Sequence, residues 1–130
     1  MEGLEYAFCI EKLELESNNI VDITPLASLK NIKELYLGNN CITYIYELRS
    51  LVDLEKLSLH HNNIKMIKSL EKLEKLEHLD LGRNQIKYSD PIRYLKQLKY
   101  LDIRKNNIVD YIVLDHMNIS TLLDDRHKIS

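Results

Sequence analysis

Leu57-Ser58-Leu59-His60-His61-Asn62-Asn63-Ile64 opens a phrase that decides how the chain folds. Ile67, Leu70, Leu73 and Leu76 follow it at even spacing, and Leu79 begins the same phrase again. Working outward in both directions, the phrase starts at Leu13, Leu35, Leu57, Leu79 and Leu101, 22 residues apart each time. Its third position holds Leu15, Leu37, Leu59, Leu81 and Ile103. Its sixth holds Asn18, Asn40, Asn62, Asn84 and Asn106, and its eighth Ile20, Ile42, Ile64, Ile86 and Ile108. Such a fixed period is the mark of a repeat architecture, in which each unit buries its apolar face against the next.

Leu-x-Leu is a period-two signal, a short strand with one face buried. Every repeat contributes one strand running the same way, so the spacing predicts a parallel sheet. The asparagine ends each strand at a tight turn. Its amide both donates and accepts, so it can satisfy turn groups that would otherwise be buried unpaired. Each such orphan would cost about 1–3 kcal/mol, and stacking makes the amides a structural ladder. Behind the turn the apolar spacing becomes three, as in Ile67, Leu70, Leu73, Leu76 and Leu79. A 3₁₀ turn has three residues per turn and keeps that stripe aligned, whereas an α-helix lets it drift. Short 3₁₀ or single-turn pieces are therefore expected on the back. The rival is an amphipathic helix over residues 68–79, whose Glu and Lys favour helix.

The pattern resembles the leucine-rich repeat family, with LxLxxNxIxxIxxLxxLxxLxx standing nearly whole in residues 13–33, 35–56 and 57–78. The 22-residue form is similar to repeats of the protein phosphatase 1 regulatory subunit and of bacterial internalin-like surface proteins. The second similarity rests on DITPLASLKNIKELYLGNN at residues 22–40. The resemblance implies a solenoid with a curved parallel sheet on its concave side and 3₁₀ or short helical segments on its convex side.

One domain over 1–130 is expected. Residues 1–12 form an N-terminal half repeat, with Leu4, Ala7 and Ile10 at back-face positions. Five strand-bearing repeats fill 13–108, and an irregular cap with a frayed tail covers 109–130. The first strand carries Lys12, Glu14 and Glu16, which blunt an exposed edge. In the fourth repeat Ser89 replaces the expected Ile, and Asp90-Pro91 points to a turn entering a short helical piece. The cap is expected to use Ile112, Val113, Ile119, Leu122 and Leu123, and residues 124–130 to fray.

Of the 130 residues, 45% are apolar and 29% charged, which fits a folded domain. Net charge is −2, without the basic surplus that phosphate neutralisation needs, so no nucleic-acid partner is expected. No apolar run approaches the roughly 18 residues of a membrane span, and residues 1–12 do not read as a signal peptide. Cys9 and Cys41 fall at different points of the repeat, too far apart for a disulfide, which favours a reducing, cytoplasmic setting.

Side chains between the strand leucines point to the concave face. Glu14, Tyr36, Ser58, Asp80 and Asp102 form one column, and Glu16, Gly38, His60, Gly82 and Arg104 the next. Ser17, Asn39, His61, Arg83 and Lys105 follow, and Lys12, Glu34, Lys56, His78 and Tyr100 precede the first leucine. The face runs from acidic at the first repeat to basic at the last two. His60 stands between Gly38 and Gly82 with nothing expected to cover its ring, and no other repeat has His at its position or at that of His61. The expected partner-binding residues are Tyr36, Ser58, His60, His61, His78, Asp80, Arg83, Tyr100, Asp102 and Arg104, since Tyr and Arg lead interface hot spots.

Neither metal nor catalytic chemistry is expected. His60 and His78 lie at opposite ends of adjacent strands, roughly 13 Å apart, too far for one ion. His60 and Asp80 lie on a diagonal of about 8 Å, within hydrogen-bonding reach, but on an open face without the water-excluding cleft that catalysis needs. No cofactor or small-molecule substrate is implied. The Glu/Lys run over 71–77 reads as a solvated back face, and the sequon at 118–120 as a chance match. The resulting expectation is a monomeric, non-enzymatic module that binds a protein on its concave face, as adaptor or regulatory subunit, linked through the resemblance to a phosphatase. The alternatives are a fragment of a bacterial internalin-like adhesin and a structural scaffold without a partner. A five-strand face projects roughly 400 Å², against about 800 Å² per partner in a standard interface.

Overall fold

The computed structural model describes residues 9–126. Six short strands form one parallel sheet in chain order: β1 (Lys12–Glu14), β2 (Glu34–Tyr36), β3 (Lys56–Ser58), β4 (His78–Asp80), β5 (Tyr100–Asp102) and β6 (Thr121–Leu123). From β1 to β5 each residue faces the one a full repeat later, as in Leu35 beside Leu57 and Leu57 beside Leu79. A one-residue slip would turn every leucine to solvent, so burial holds this register. The return path on the back is 3₁₀, at Thr24–Ser28, Tyr46–Ser50, Lys68–Leu70 and Asp90–Tyr94. The amphipathic-helix alternative over 68–79 does not form. A three-residue stripe stays inward only when the backbone also turns in threes.

The core is one continuous column of aliphatic side chains. Leu35, Leu37, Ile42, Leu48, Leu51 and Leu54 of the second repeat are fully buried, as are their counterparts in the third. Each is worth about 1.5–3 kcal/mol relative to exposure. Leu13, Leu15 and Ile20 of the first repeat are only partly buried. Lys12 and Glu14, on the edge strand, pair at 3.0 Å and stay exposed. The half-repeat positions Leu4 and Ala7 lie outside the described residues. Cys9 and Cys41 are free and exposed.

At the C-terminal end the structure departs from the expected five strands and irregular cap. β6 pairs in parallel with β5, Leu101 facing Leu122. That interval is 21 residues, one short of the repeat, and the strand carries no asparagine at the sixth position, so the periodicity hid it. Ile112, expected in the cap core, is 62% exposed, whereas Leu114 is buried. Both sit in the single turn α1 (Ile112–Asp115), and two residues apart on a helix place them on nearly opposite sides. Residues 124–126 are also not frayed. Arg126 pairs with Asp115 and Asp124 and lies over the Tyr111 ring, and Asp125 accepts a hydrogen bond from the Lys105 amide. Ser89 is buried and donates its hydroxyl to the Asp110 carbonyl, and Pro91 opens the 3₁₀ turn after it.

Candidate functional site: the concave face

After each of β1 to β5 the backbone makes a left-handed step. Ser17, Asn39, His61, Arg83 and Lys105 have φ of 58°, 56°, 55°, 57° and 61°. For a residue with a Cβ this conformation costs about 1–2 kcal/mol, and asparagine tolerates it best. The next residue holds the turn. Asn62 Nδ2 donates to the carbonyls of Leu37, Leu59 and His60, and its Oδ1 accepts from the Ile42 amide. Asn40, Asn84 and Asn106 repeat the arrangement. Among the described residues Asn18 bonds only the Leu15 and Glu16 carbonyls of its own turn, and it stays exposed. Each ladder rung thus ties one repeat to the one before it and fixes where the concave side chains stand.

On that frame His60 sits differently from expectation. Its ring is not free above a bare glycine but folded into the space over Gly38, where a Cβ would stand 2.2 Å from the ring's Cε1. Gly38 therefore makes a socket. Asn39 Nδ2 donates to His60 Nε2 at 3.2 Å, which assigns the proton to Nδ1 and lets it donate to Ser58 Oγ at 2.9 Å. Asp80 Oδ2 lies 3.6 Å from the same Nδ1. Asn39 Oδ1 accepts from His61 Nδ1 at 2.7 Å, so one amide links the two histidines. Serine, histidine and aspartate are together here, yet Ser58 and Asp80 approach the same ring nitrogen. A relay needs them on opposite nitrogens, and the other is held by Asn39.

Beside this group lies a depression of about 240 Å³ lined by His60, Asp80, Gly82, Arg83, Asp102, Arg104 and Lys105. Asp102 is nearly buried and holds the Arg104 guanidinium through two bonds, Nε at 3.1 Å and Nη2 at 2.8 Å. Burial acts to raise the Asp102 carboxyl, but hydrogen bonds from the Arg104 side chain and amide outweigh it and hold the group below its ordinary range. The end that reads as basic in sequence is therefore already part-neutralised at Arg104. Asp80 Oδ1 accepts from the Gly82 amide, which fixes that carboxylate too.

The other predicted residues stand apart. His78 and Tyr100 stack at 4.2 Å between ring centroids, with the planes 5° from parallel. Burial pushes the His78 imidazole down from its usual value despite Asp80, so it is neutral at pH 7. Tyr36 donates to Glu34 at 2.7 Å; that bond, with burial, pushes its phenol up to about 12. The sequence-based set omitted Asn39, Gly38 and Lys105. A lone asparagine in the left-handed column, next to a glycine and one strand from two histidines, was the available signal. Among the described residues no group of His, Cys, Asp and Glu side chains is placed to hold a metal ion, and no helix is long and apolar enough to cross a membrane.

Comparison with known proteins agrees with this fold. Models of leucine-rich repeats match residues 10–64, 52–94 and 75–116. An internalin C2 from Listeria monocytogenes superposes with a TM-score of 0.88 at 31% identity, over 94% of this chain and 54% of that one. A second internalin (inlF) from Listeria monocytogenes gives 0.86 at 27% identity, over 92% and 36%. A leucine-rich repeat protein from Leptospira interrogans gives 0.79 at 29% identity, over 89% and 32%. The chain thus spans from about a third to about half of these similar proteins. No curated protein matches the chain significantly by sequence.

Proposed function

The chain belongs to the leucine-rich repeat family, a family of protein-interaction modules, and from that premise we propose that it binds a protein through its concave face, as an adaptor or regulatory subunit without catalytic activity. The observation that carries this is the braced group at the second to fifth repeats. Ser58, His60, Asn39 and Asp80 hold one another, and Asp102 presents Arg104 at fixed orientation. Side chains already held in place lose little freedom on binding, which favours recognition. Tyr36 is the aromatic anchor one strand away, and Arg83 and Lys105 supply charge without an ion-pair partner among the described residues. With six strands the face projects roughly 480 Å², still short of a standard partner surface, so the complex is of modest affinity or draws in the turns at 39–41, 61–63 and 83–85. Two exposed free cysteines fit work in the reducing cytoplasm.

Quantitative affinity capture tests this. A protein retained by the wild type is expected to fall away with His60→Ala and with Arg104→Ala while Glu74→Ala, on the back, retains it. Equal retention by all three variants would refute the concave assignment. A second reading, a repeat segment of an internalin-like surface protein, is favoured by the 0.88 superposition covering 54% of internalin C2. The encoding gene decides it: a secretion signal before the repeats supports it, and a reading frame without one opposes it.

A further inference from the structure

The back of the solenoid carries a feature that neither the repeat nor the concave face requires. Between the 3₁₀ turns Tyr46–Ser50 and Lys68–Leu70 lies a groove of about 760 Å³, within the range of ligand-sized sites. Its apolar part is Tyr44, Tyr46 and Met66, which are 74%, 59% and 72% exposed beside a core whose aliphatics are fully buried. Such grouped exposure marks an interaction site more often than chance surface. Its rim is Arg49, Lys65, Lys68 and Lys72, opposed only by Glu71. That is an excess of three positive charges on a chain whose net charge is −2. On the neighbouring outer surface Lys75 is matched to Asp53 and Lys99 to Glu77, both at 2.8 Å. Lys65, Lys68 and Lys72 have no ion pair among the described residues, and the Arg49 guanidinium lies over the Tyr46 ring at 4.1 Å.

We propose that this groove binds an acidic peptide segment of another protein, with an aliphatic or aromatic side chain seated against Tyr44, Tyr46 and Met66 and flanking carboxylates on the three lysines. The charge pattern selects that occupant. A second copy of the chain in a two-fold contact would set the same lysines against each other. A nucleic acid would find only four cations on an otherwise acidic chain. The floor suits a variable anchor, because a thioether adapts its shape and tyrosine combines a large apolar face with a polar tip. This site is separate from the concave face, so each can fail without the other.

The probe is the fluorescein-labelled octapeptide Asp-Glu-Phe-Glu-Glu-Leu-Asp-Glu, followed by fluorescence anisotropy at low ionic strength. Its controls carry Lys for every acid, or Ser for Phe and Leu. Saturable binding is expected for the acidic apolar peptide alone. It should weaken about tenfold or more with Lys65→Glu/Lys68→Glu/Lys72→Glu, and again with Met66→Ser. It should weaken with added salt and be unchanged by His60→Ala. All four groove substitutions are at exposed positions, and circular dichroism melting verifies that the variants stay folded. Absence of saturable binding overturns the proposal, as does binding indifferent to the charge reversal. It is equally overturned if the groove variants instead lose tighter binding to phosphatidylserine vesicles or to a single-stranded oligonucleotide.

Discussion

At the scale of single residues, Gly38 and His60 behave as one unit. The ring occupies the volume a Cβ at position 38 would need, and its bonds to Ser58 and Asn39 exist only while it stays there. Gly38→Ala should therefore swing the ring out and lose both bonds, at about 1–2 kcal/mol in total. With His60→Ala already in place the three atoms nearest that Cβ are gone. The same change should then be neutral, or stabilising by up to about 1 kcal/mol through the stiffer unfolded chain. Urea unfolding of the four proteins in this double-mutant cycle measures the coupling; an equal cost of Gly38→Ala in both backgrounds would show that the ring does not fill the socket. The sequence made Gly38 conspicuous but not its use. A glycine beside a histidine reads equally well as clearance or as a seat, and only the side-chain torsion separates them. The left-handed column was illegible for a similar reason. Ser17, His61, Arg83 and Lys105 share no chemistry, because what forces their φ positive is the asparagine after them.

At the scale of elements, a strand of three residues is too short to hold itself and is defined by the turn that ends it. The asparagine ladder makes that turn a contact between repeats. Asn62→Ala would strand the buried Ile42 amide and take one of two donors from the Leu37 and Leu59 carbonyls, which keep Asn40 and Asn84, at about 1–3 kcal/mol. Asn18→Ala removes bonds within one exposed turn and should cost less than about 1 kcal/mol. Thermal or urea unfolding of the pair checks the difference; similar costs at both positions would mean that local turn geometry, not inter-repeat bonding, is what the asparagine supplies. The first five strands are legible because burial demands the same side chain at the same step of every repeat. β6 escapes because it lies one residue out of step and no asparagine stands at its sixth position. The back-face 3₁₀ turns are legible from the spacing of three, against the helix-favouring Glu and Lys.

At the scale of the whole molecule, repeated and unrepeated residues divide the work. Columns alike in every repeat form the core and the ladder, and exposed side chains that differ between repeats are the ones left to serve recognition. That division makes the fold plain in sequence and the site only partly so. His60, Asp80, Arg83, Asp102 and Arg104 come together around one depression, while the His78–Tyr100 stack stands away from it at the other end of the strands. The outer groove went unread because the tyrosines and methionine that line it occur in only some repeats. Position ten holds Tyr44, Met66 and Tyr88 in the middle repeats but Asp22 and Asp110 at the ends.

The central claim, that recognition lies on the concave face, is tested most directly by site-specific photo-crosslinking in a lysate of the cells that express the protein. Benzoylphenylalanine in place of Arg83 is expected to give a defined adduct with one partner protein, lost when His60→Ala is added, while the same probe in place of Glu74 gives none. Equal adducts from both positions, or an adduct at position 83 that survives His60→Ala undiminished, would contradict it.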